Sequence, residues 1–507
     1  MSQIRVNNLS FCYDGSAEPT FENVSFSIDT HWKLGFIGRN GKGKTTLLKL
    51  LLGDMPYSGT IGASTAFAYF PYEVQADYLP LPASEWIDTL RPDHEPWRVL
   101  YELSLLGEDA DVLYQPFAQL SHGQRTKILL AILFAGENEF LLIDEPTNHL
   151  DSAARETVKE YLASKNGFIL VSHDRDLLDA CIDHVLVLNR NTIEIQNGNF
   201  SSWWENKQRK DNFAAAENEK HRKEIRKLKQ AAQRTADWAD KNERTKIGYD
   251  PIKDHDRSIS ARAFIGAKTK KMQSRVSNIQ KRIEREIGEQ EDLLTDIERV
   301  KALKLSPLPC PKRVLVHFKD YCFRYADSEV PVIGGLTFEI ERGDRVALHG
   351  ENGCGKSTLL KRILYGLGAQ ELPPFAESGI CEVASGLTVS YVDQDTSQLK
   401  GNVMDFCRDR GLDRSLFCTI LRQLNLERSQ LEKDISAYSE GQKKKVLIAA
   451  SLASSAHLYI WDEPLNYIDV FSRMQIENVL LTYQPTLLFV EHDARFQETI
   501  ATKMVQL

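Results

Sequence analysis

No stretch of this 507-residue chain strings together the ~18 apolar residues that a bilayer-spanning helix needs. The longest apolar runs, such as residues 128–134, have the length of a buried strand or a core helix. The opening MSQIRVNNLSF passes straight into a strand-like pattern without an apolar signal core, so a cytoplasmic protein is expected. Cysteine is sparse and scattered. Cys12, Cys181, Cys310, Cys322, Cys354, Cys381, Cys407 and Cys418 nowhere fall with one to four residues between two of them, the usual spacing of zinc and iron-sulfur ligands. Residues 203–244 contain neither proline nor glycine, which argues for unbroken helix there. Positive charge is also in deficit, with 63 Lys and Arg against 71 Asp and Glu. It is concentrated, however, in residues 203–304, where 26 Lys and Arg face 18 Asp and Glu. That segment is therefore cationic in an acidic chain, the distribution expected if it meets a polyanion and the flanking bodies do not.

What is present is a pattern that occurs twice. Alternating apolar residues at 4–11 and 24–28 predict antiparallel strands, and a buried strand at 34–37 ends in the loop GRNGKGKTT, residues 38–46. The loop fits G-x-x-x-x-G-K-[ST] and continues into an apolar helix, the context that marks a phosphate-binding loop. Gly38, Gly41 and Gly43, with Asn40 among them, let backbone N–H groups converge on phosphate oxygens. Lys44 supplies a cation for the outer phosphates, and Thr45, followed by Thr46, offers a hydroxyl to magnesium. The strand at 140–143 ends in Asp144, placed to reach magnesium, and Glu145, placed to polarise an attacking water. A third strand at 168–171 ends in His173, read as a γ-phosphate sensor because all three strand ends face one edge of a parallel sheet.

The second copy repeats the set. GENGCGKST at 350–358 supplies Gly350, Asn352, Gly353, Gly355, Lys356, Ser357 and Thr358; later strands end in Asp462 and Glu463, and in His492. Lys44 and Glu145 lie 101 residues apart, Lys356 and Glu463 107. The expected fold class is α/β, with two tandem P-loop ATPase domains at 1–202 and 305–507, joined by an antiparallel α-helical hairpin linker at 203–304.

Two further segments carry a resemblance to a family. LSHGQ at 120–124 and SAYSEGQ at 436–442 resemble the signature of ATP-binding cassette (ABC) ATPases, and the residues after DEPT at 144–147 resemble its D-loop. The resemblance implies that Ser121, Gly123 and Gln124, like Ser439, Gly441 and Gln442, cap the nucleotide held by the opposite copy. It implies ATP and Mg2+ as cofactors, and adenine-stacking roles for Tyr13 and Tyr325. A monomer would then build both composite sites by pairing its own two cassettes. Such ATPases place a glutamine after the strand that follows the P-loop helix, to touch magnesium and the lytic water. Gln394 fits, beside Ser357 and Asp462; the first copy has Tyr72 there, with Gln75 three residues on as a substitute. The second D-loop region also departs, reading LNYID at 465–469.

In the linker, a second helix-favouring run at 262–304 carries Met272, Val276, Ile279, Ile283, Ile287, Leu294 and Ile297 at steps of three, four or seven, a seam that needs a partner. Phe213, Ile225 and Leu228 in the first run offer one. About forty helical residues at ~1.5 Å each would carry the tip ~60 Å away. That tip, about 245–264, interleaves Tyr249 and Phe264 with Lys246, Lys253, Arg257 and Arg262, with Lys268 just beyond, a composition suited to stacking on bases and holding phosphates. Here the resemblance narrows to the ABC-F branch, which combines two cassettes, no membrane domain, and a long helical linker that enters the ribosomal exit site beside the P-site tRNA. FIGAKTKKMQSR at 264–275 and SSWWENK at 201–207 are similar to the Lsa/Vga-type members, which displace lincosamide, streptogramin A and pleuromutilin antibiotics. The implied partner is the 70S ribosome, through 23S rRNA and P-site tRNA, and not DNA. A housekeeping ABC-F translation factor, a transporter ATPase subunit and a DNA-repair ATPase are the alternatives.

Overall fold

The computed structural model describes residues 3–13, 19–92, 94–148, 150–188, 193–244, 277–279, 281–283, 285, 303–326, 330–351, 353–426, 428 and 430–507. The chain folds as two compact units, one of Met1–Trp203 with Lys301–Leu507, the other of Trp204–Val300.

In the first unit, the alternating segments form a small antiparallel sheet. Strand β1 (Gln3–Phe11) buries Ile4, Val6 and Leu9 and lies between β2 (Phe21–Asp29) and β4 (Ser58–Gly62). The short, wholly apolar segments instead become the interior of a sheet covered on both faces, as parallel strands require. Its members are β3 (Lys33–Ile37), β5 (Ala66–Phe70), β6 (Glu139–Asp144), β7 (Phe168–Val171), β8 (His184–Leu188) and β9 (Ile193–Asn197). Their order is β5-β6-β7-β3-β8-β9, with β9 antiparallel at the edge. Helices α1 (Lys44–Leu52), α2 (Ala83–Leu90), α3 (Pro96–Leu105), α4 (His122–Phe134), α5 (Ser152–Ala163) and α6 (Arg175–Cys181) complete the cassette. Parallel pairing sets Asp144 opposite Val171, so the strand ends that carry the motifs meet at one edge.

A long helix, α7 (Phe200–Arg244), follows. The second cassette then repeats the plan, with β10 (Val314–Tyr325) between β11 (Ile333–Glu341) and β13 (Phe375–Val383). Its parallel sheet comprises β12 (Arg345–His349), β14 (Val389–Val392), β15 (Leu458–Asp462), β16 (Leu487–Val490) and β17 (Lys503–Gln506), in the order β14-β15-β16-β12-β17. The helices are α8 (Lys356–Gly366), α9 (Val403–Asp409), α10 (Arg414–Gln423), α11 (Glu440–Ala453), α12 (Val470–Tyr483) and α13 (Ala494–Ile500). Two apolar layers sandwich this sheet: Trp461, Phe489 and Phe496 on one face, Phe318, Tyr321, Leu348 and Leu360 on the other. Each such side chain, fully buried, contributes about 1.5–3 kcal/mol. The Trp461 indole N–H donates to Ser451 Oγ at 2.9 Å, so its polar edge is satisfied inside the core.

The cassettes touch through charge. Arg175, on α6, is buried against Glu477 of α12; Nη1 donates to Oε2 at 3.1 Å and Nη2 donates to Oε1. Arg495 reaches Asp179 at 3.1 Å. Near the first phosphate loop, Arg39 hydrogen-bonds Asn425 and its guanidinium lies 6.0 Å from the centre of the Phe471 ring, which meets Trp203 edge-on at 6.1 Å.

In the second unit, Ile225 and Ile283, both assigned above to the helical seam, are buried. Most of the returning helix, and the tip residues Lys246, Tyr249, Lys253, Arg257, Arg262, Phe264 and Lys268, lie outside the described residues, as does Asn352. Among the described residues, no helix is long and apolar enough to cross a membrane.

Breaking a buried ion pair strands the remaining charge, at a cost of about 3–5 kcal/mol, whereas replacing both partners with apolar groups is near neutral. Arg175→Met is therefore expected to lower the melting temperature markedly, and Arg175→Met/Glu477→Met to recover most of the loss in the same thermal melt.

Candidate active site

Each phosphate loop is shaped by glycines in conformations that other residues resist. Gly41 and Gly43 have φ of 80° and 102°, Gly353 and Gly355 of 85° and 100°. A Cβ on Gly43 would fall 2.7 Å from Thr20 Cγ2, and one on Gly355 2.8 Å from Val332 Cγ1. The loop thus packs against its own antiparallel sheet and delivers the first N–H groups of α1 and α8 to one point, a ready anion site. The lysines are buried there. Lys44 Nζ donates to Gly38 O at 2.8 Å and Asn40 Oδ1 at 3.0 Å; Lys356 Nζ donates to Gly350 O at 2.8 Å and Glu351 O at 2.7 Å. Each following threonine meets the tyrosine that ends the first strand region: Tyr13 Oη lies 2.7 Å from Thr46 Oγ1, and Tyr325 Oη 3.1 Å from Thr358 Oγ1.

At the strand ends, Thr45 Oγ1 donates to Asp144 Oδ2 at 2.9 Å, and burial, as the largest cause, pushes the Asp462 carboxyl up to about 6. Glu145 and Glu463 both hold φ near the left-handed region, 50° and 46°, where a side chain is strained. Their surroundings differ. Glu145 faces His173, whose Nε2 lies 3.3 Å from Oε1. Burial, and then the neighbouring Asp144 charge, push the Glu145 carboxyl up to about 8. Burial, with the Lys44 and Arg473 charges, holds His173 far below its ordinary range, as a neutral imidazole. Glu463 accepts from Asn466 Nδ2 at 2.7 Å and Gln394 Nε2 at 2.9 Å, and His492 Nε2 is 3.6 Å away. Burial alone would raise Glu463, but the nearby His492 and the charge of Lys444 outweigh it and leave the carboxyl below its usual range.

The strand registers explain this difference. Phe70 pairs with Ile143 and Val392 with Trp461, each one residue before the aspartate, so Tyr72 stands where Gln394 does. Yet the Tyr72 hydroxyl accepts from Arg91 Nε at 3.3 Å, in a separate groove with Glu139. Gln75 is exposed, at the residue before the short turn Ala76–Tyr78, and its side chain makes no capping hydrogen bond there. Neither brings an amide to Glu145; instead Tyr69 donates its hydroxyl to Asp144 Oδ2 at 3.3 Å.

The signature segments form helix caps. Ser121 Oγ accepts from Gln124 N at 3.2 Å while Gln124 Oε1 accepts from Ser121 N at 3.1 Å; Ser439 and Gln442 do the same at 3.4 and 3.2 Å. Both glutamines are thus engaged in their own helices. Gly441 leaves room for the D-loop, since a Cβ there would lie 2.5 Å from Tyr467 O; a Cβ on Gly123 would be 3.5 Å from Ala154.

Both cavities are built from the two cassettes together. One, of about 930 Å³, has Tyr13, Lys44, Thr45, Glu145 and His173 on one side and Ser439, Gly441 and Tyr467 on the other. Asn40 Nδ2 crosses it to donate to Tyr467 O at 2.9 Å. The other, of about 420 Å³, joins Lys356, Ser357, Gln394, Glu463 and His492 to His122 and Arg155 of the first cassette. Arg155 and Arg473 were not singled out above, although each lies four residues after its D-loop aspartate. Both fasten that loop: Arg155 Nε donates to Leu150 O, and Arg473 Nε to Ile468 O, each at 2.9 Å.

A phosphate loop, a strand-end Asp-Glu pair and a serine-capped helix supplied by a second copy define an ABC-type ATPase with twin cassettes. The ABC transporter family profile matches residues 21–148 and 333–466, over half of the chain, and the chain belongs to that family. Within it, the chain is an ABC-F ATPase. It is 28% identical to the ribosome protection protein VmlR of Bacillus subtilis, across 99% of this chain and 86% of that protein. It is 25% identical to ABC transporter F family member 2 of Arabidopsis thaliana, across all of this chain and 76% of that one. Its fold is similar to that of archaeal aABCE1, a ribosome recycling factor solved in complex with ribosomal stalk protein aP1, with a TM-score of 0.59 at 18% identity over 98% of this chain and 87% of that one.

Any side chain at Gly43 or Gly355 must move its neighbours as well as strain the backbone, by at least about 1–2 kcal/mol. Gly43→Ala and Gly355→Ala are each expected to weaken fluorescent-nucleotide binding at one of the two sites by about tenfold or more.

Proposed function

We propose that this ATPase is a cytoplasmic ribosome-binding factor whose linker, residues 203–304, enters the ribosomal exit site near the P-site tRNA and dislodges antibiotics of the lincosamide, pleuromutilin and streptogramin A classes. The observation that carries the reading is the charge split, a formal +8 on the linker against −8 for the whole chain, in a protein that aligns with a ribosome protection protein over 99% of its length. A transporter subunit has no use for such a segment.

ATP binding completes both cavities, drawing the Ser439 and Ser121 helix ends onto phosphates held by the opposite loops. Closure fixes the linker against ribosomal and tRNA phosphates, and hydrolysis releases it. The work at the ribosome is done by binding energy. Lys44 and Lys356 hold the outer phosphates, Tyr13 and Tyr325 flank the base, and His173 and His492 sense the γ-phosphate. Glu145 and Glu463 orient the attacking water.

A magnesium ion fits the residues present. Thr45 and Asp144 set two hard oxygens 2.9 Å apart, and buried Asp462 Oδ1 has no hydrogen-bond partner in the protein. Thr45 and Asp144 would hold the ion in one site, and Ser357, Asp462 and Gln394 in the other. It would neutralise charge on the phosphates.

Gln394 holds Glu463 directly while Glu145 lacks such an amide, so Glu145→Gln and Glu463→Gln should have unequal effects on ATP turnover and on target release; equal effects in both assays contradict the inequality of the sites. The Glu463→Gln protein should co-sediment with 70S ribosomes in ATP and lose that binding steeply as salt rises. No enrichment in the ribosomal pellet would remove the ribosome reading. Retained enrichment without protection against these drugs in growth assays would favour a housekeeping translation factor.

A further inference from the structure

Helix α3 turns an apolar face outward. Trp97, Leu100, Tyr101 and Leu105, spaced as one side of a helix, are 60, 39, 55 and 45% exposed, and the short turn that follows adds Tyr114 at 67%. The helix is held from behind by Val99 and Leu103, which are buried, so this face is not a core that failed to close. The repeat within the chain provides a control. Helix α10 packs on α11 as α3 packs on α4, and its exposed residues include Arg414, Ser415, Thr419 and Arg422. The same scaffold position is thus polar in one copy and aromatic-aliphatic in the other. A contiguous apolar surface of this kind marks an interaction site.

Its surroundings specify what fits. Exposed Glu95 and Glu137 are tied to the Trp97 end of the face through Arg98, and Asp109 and Asp111 are exposed in the chain between Leu105 and Tyr114. Arg98, the cation at that rim, is held by Glu95 at 2.8 Å and by Glu137, and lies 5.3 Å from the centre of the Trp97 ring. An acidic rim around aromatic and leucine side chains repels nucleic acid and anionic lipid and favours a polypeptide that carries cations beside its apolar residues.

We propose that the outer face of α3 in the first cassette is a docking surface for a basic amphipathic protein segment, seated with its apolar side on Trp97, Leu100, Tyr101 and Leu105 and its cations toward the acidic rim. The proposal does not rest on the ribosome reading, because neither the linker nor the nucleotide cavities take part in it.

The test uses the full-length protein and a synthetic Leu/Lys amphipathic helix of about fourteen residues, with a Leu/Glu counterpart as the charge control, in calorimetric titrations. The triple variant Leu100→Ser/Tyr101→Ser/Leu105→Ser changes exposed side chains alone, and its ATPase rate and melting temperature verify its fold. The Leu/Lys peptide should bind the unaltered protein and bind the triple variant at least about tenfold more weakly, with no binding of the Leu/Glu peptide. Absent binding of the Leu/Lys peptide, equal binding to the variant, or equal binding of the Leu/Glu peptide would overturn the proposal. So would sedimentation as a dimer that the triple variant abolishes, which makes a second copy the occupant, or binding to phosphatidylcholine vesicles through the same residues, which makes it a membrane surface.

Discussion

Neither nucleotide cavity is finished by the cassette that supplies its phosphate loop, and most of the molecule's organisation follows from that constraint. The loops place buried Lys44 and Lys356 at a helix N-terminus, but the opposing wall comes from the other copy, through Ser439 and Tyr467 in one case and His122 and Arg155 in the other. Backbone and side chain interlock where the halves meet. Asn40 donates across the gap to the Tyr467 carbonyl, and Gly441 must be glycine for that carbonyl to approach. The D-loops that line both walls are held by Arg155 and Arg473. Anything that loosens the seam therefore degrades both cavities.

Within this near-symmetric frame the two sites differ electrostatically. One residue, Tyr72 against Gln394, decides whether an amide reaches the strand-end glutamate, and the first site has only a phenol, Tyr69, directed at the aspartate instead. Burial then dominates at Glu145 and is outweighed at Glu463. A handful of contacts thus shift the two strand-end glutamates of one fold in opposite directions.

Features that follow from local covalent geometry were legible in the sequence. Glycine spacing at 38–43 and 350–355, four-residue apolar runs such as 140–143 and 168–171 that become buried strands, and motif residues at strand ends all survive into the structure because a parallel sheet leaves them one edge at which to meet. What was not legible depends on tertiary direction. The register places Tyr72 at the glutamine position, but only packing shows that its hydroxyl turns to Arg91. Gln124 and Gln442 sit in the signature, yet their amides close capping boxes, a local competition that the motif does not reveal. Arg155 and Arg473 were detectable by aligning the copies, since they recur four residues after each D-loop aspartate. The outward face of α3 is not legible in the sequence because its apolar spacing is that of an ordinary core helix.

The contacts across the seam have a consequence for how the halves have been able to diverge. Arg175 with Glu477, and Arg39 with Asn425, are pairings in which each copy carries what the other lacks. Because both copies are one polypeptide, each cassette has the other tethered to it, at an effective concentration set by the connecting chain and independent of dilution. A dimer of identical subunits must keep one surface that suits itself. Here the surface was free to split into lock and key, and to assign each cavity its own chemistry.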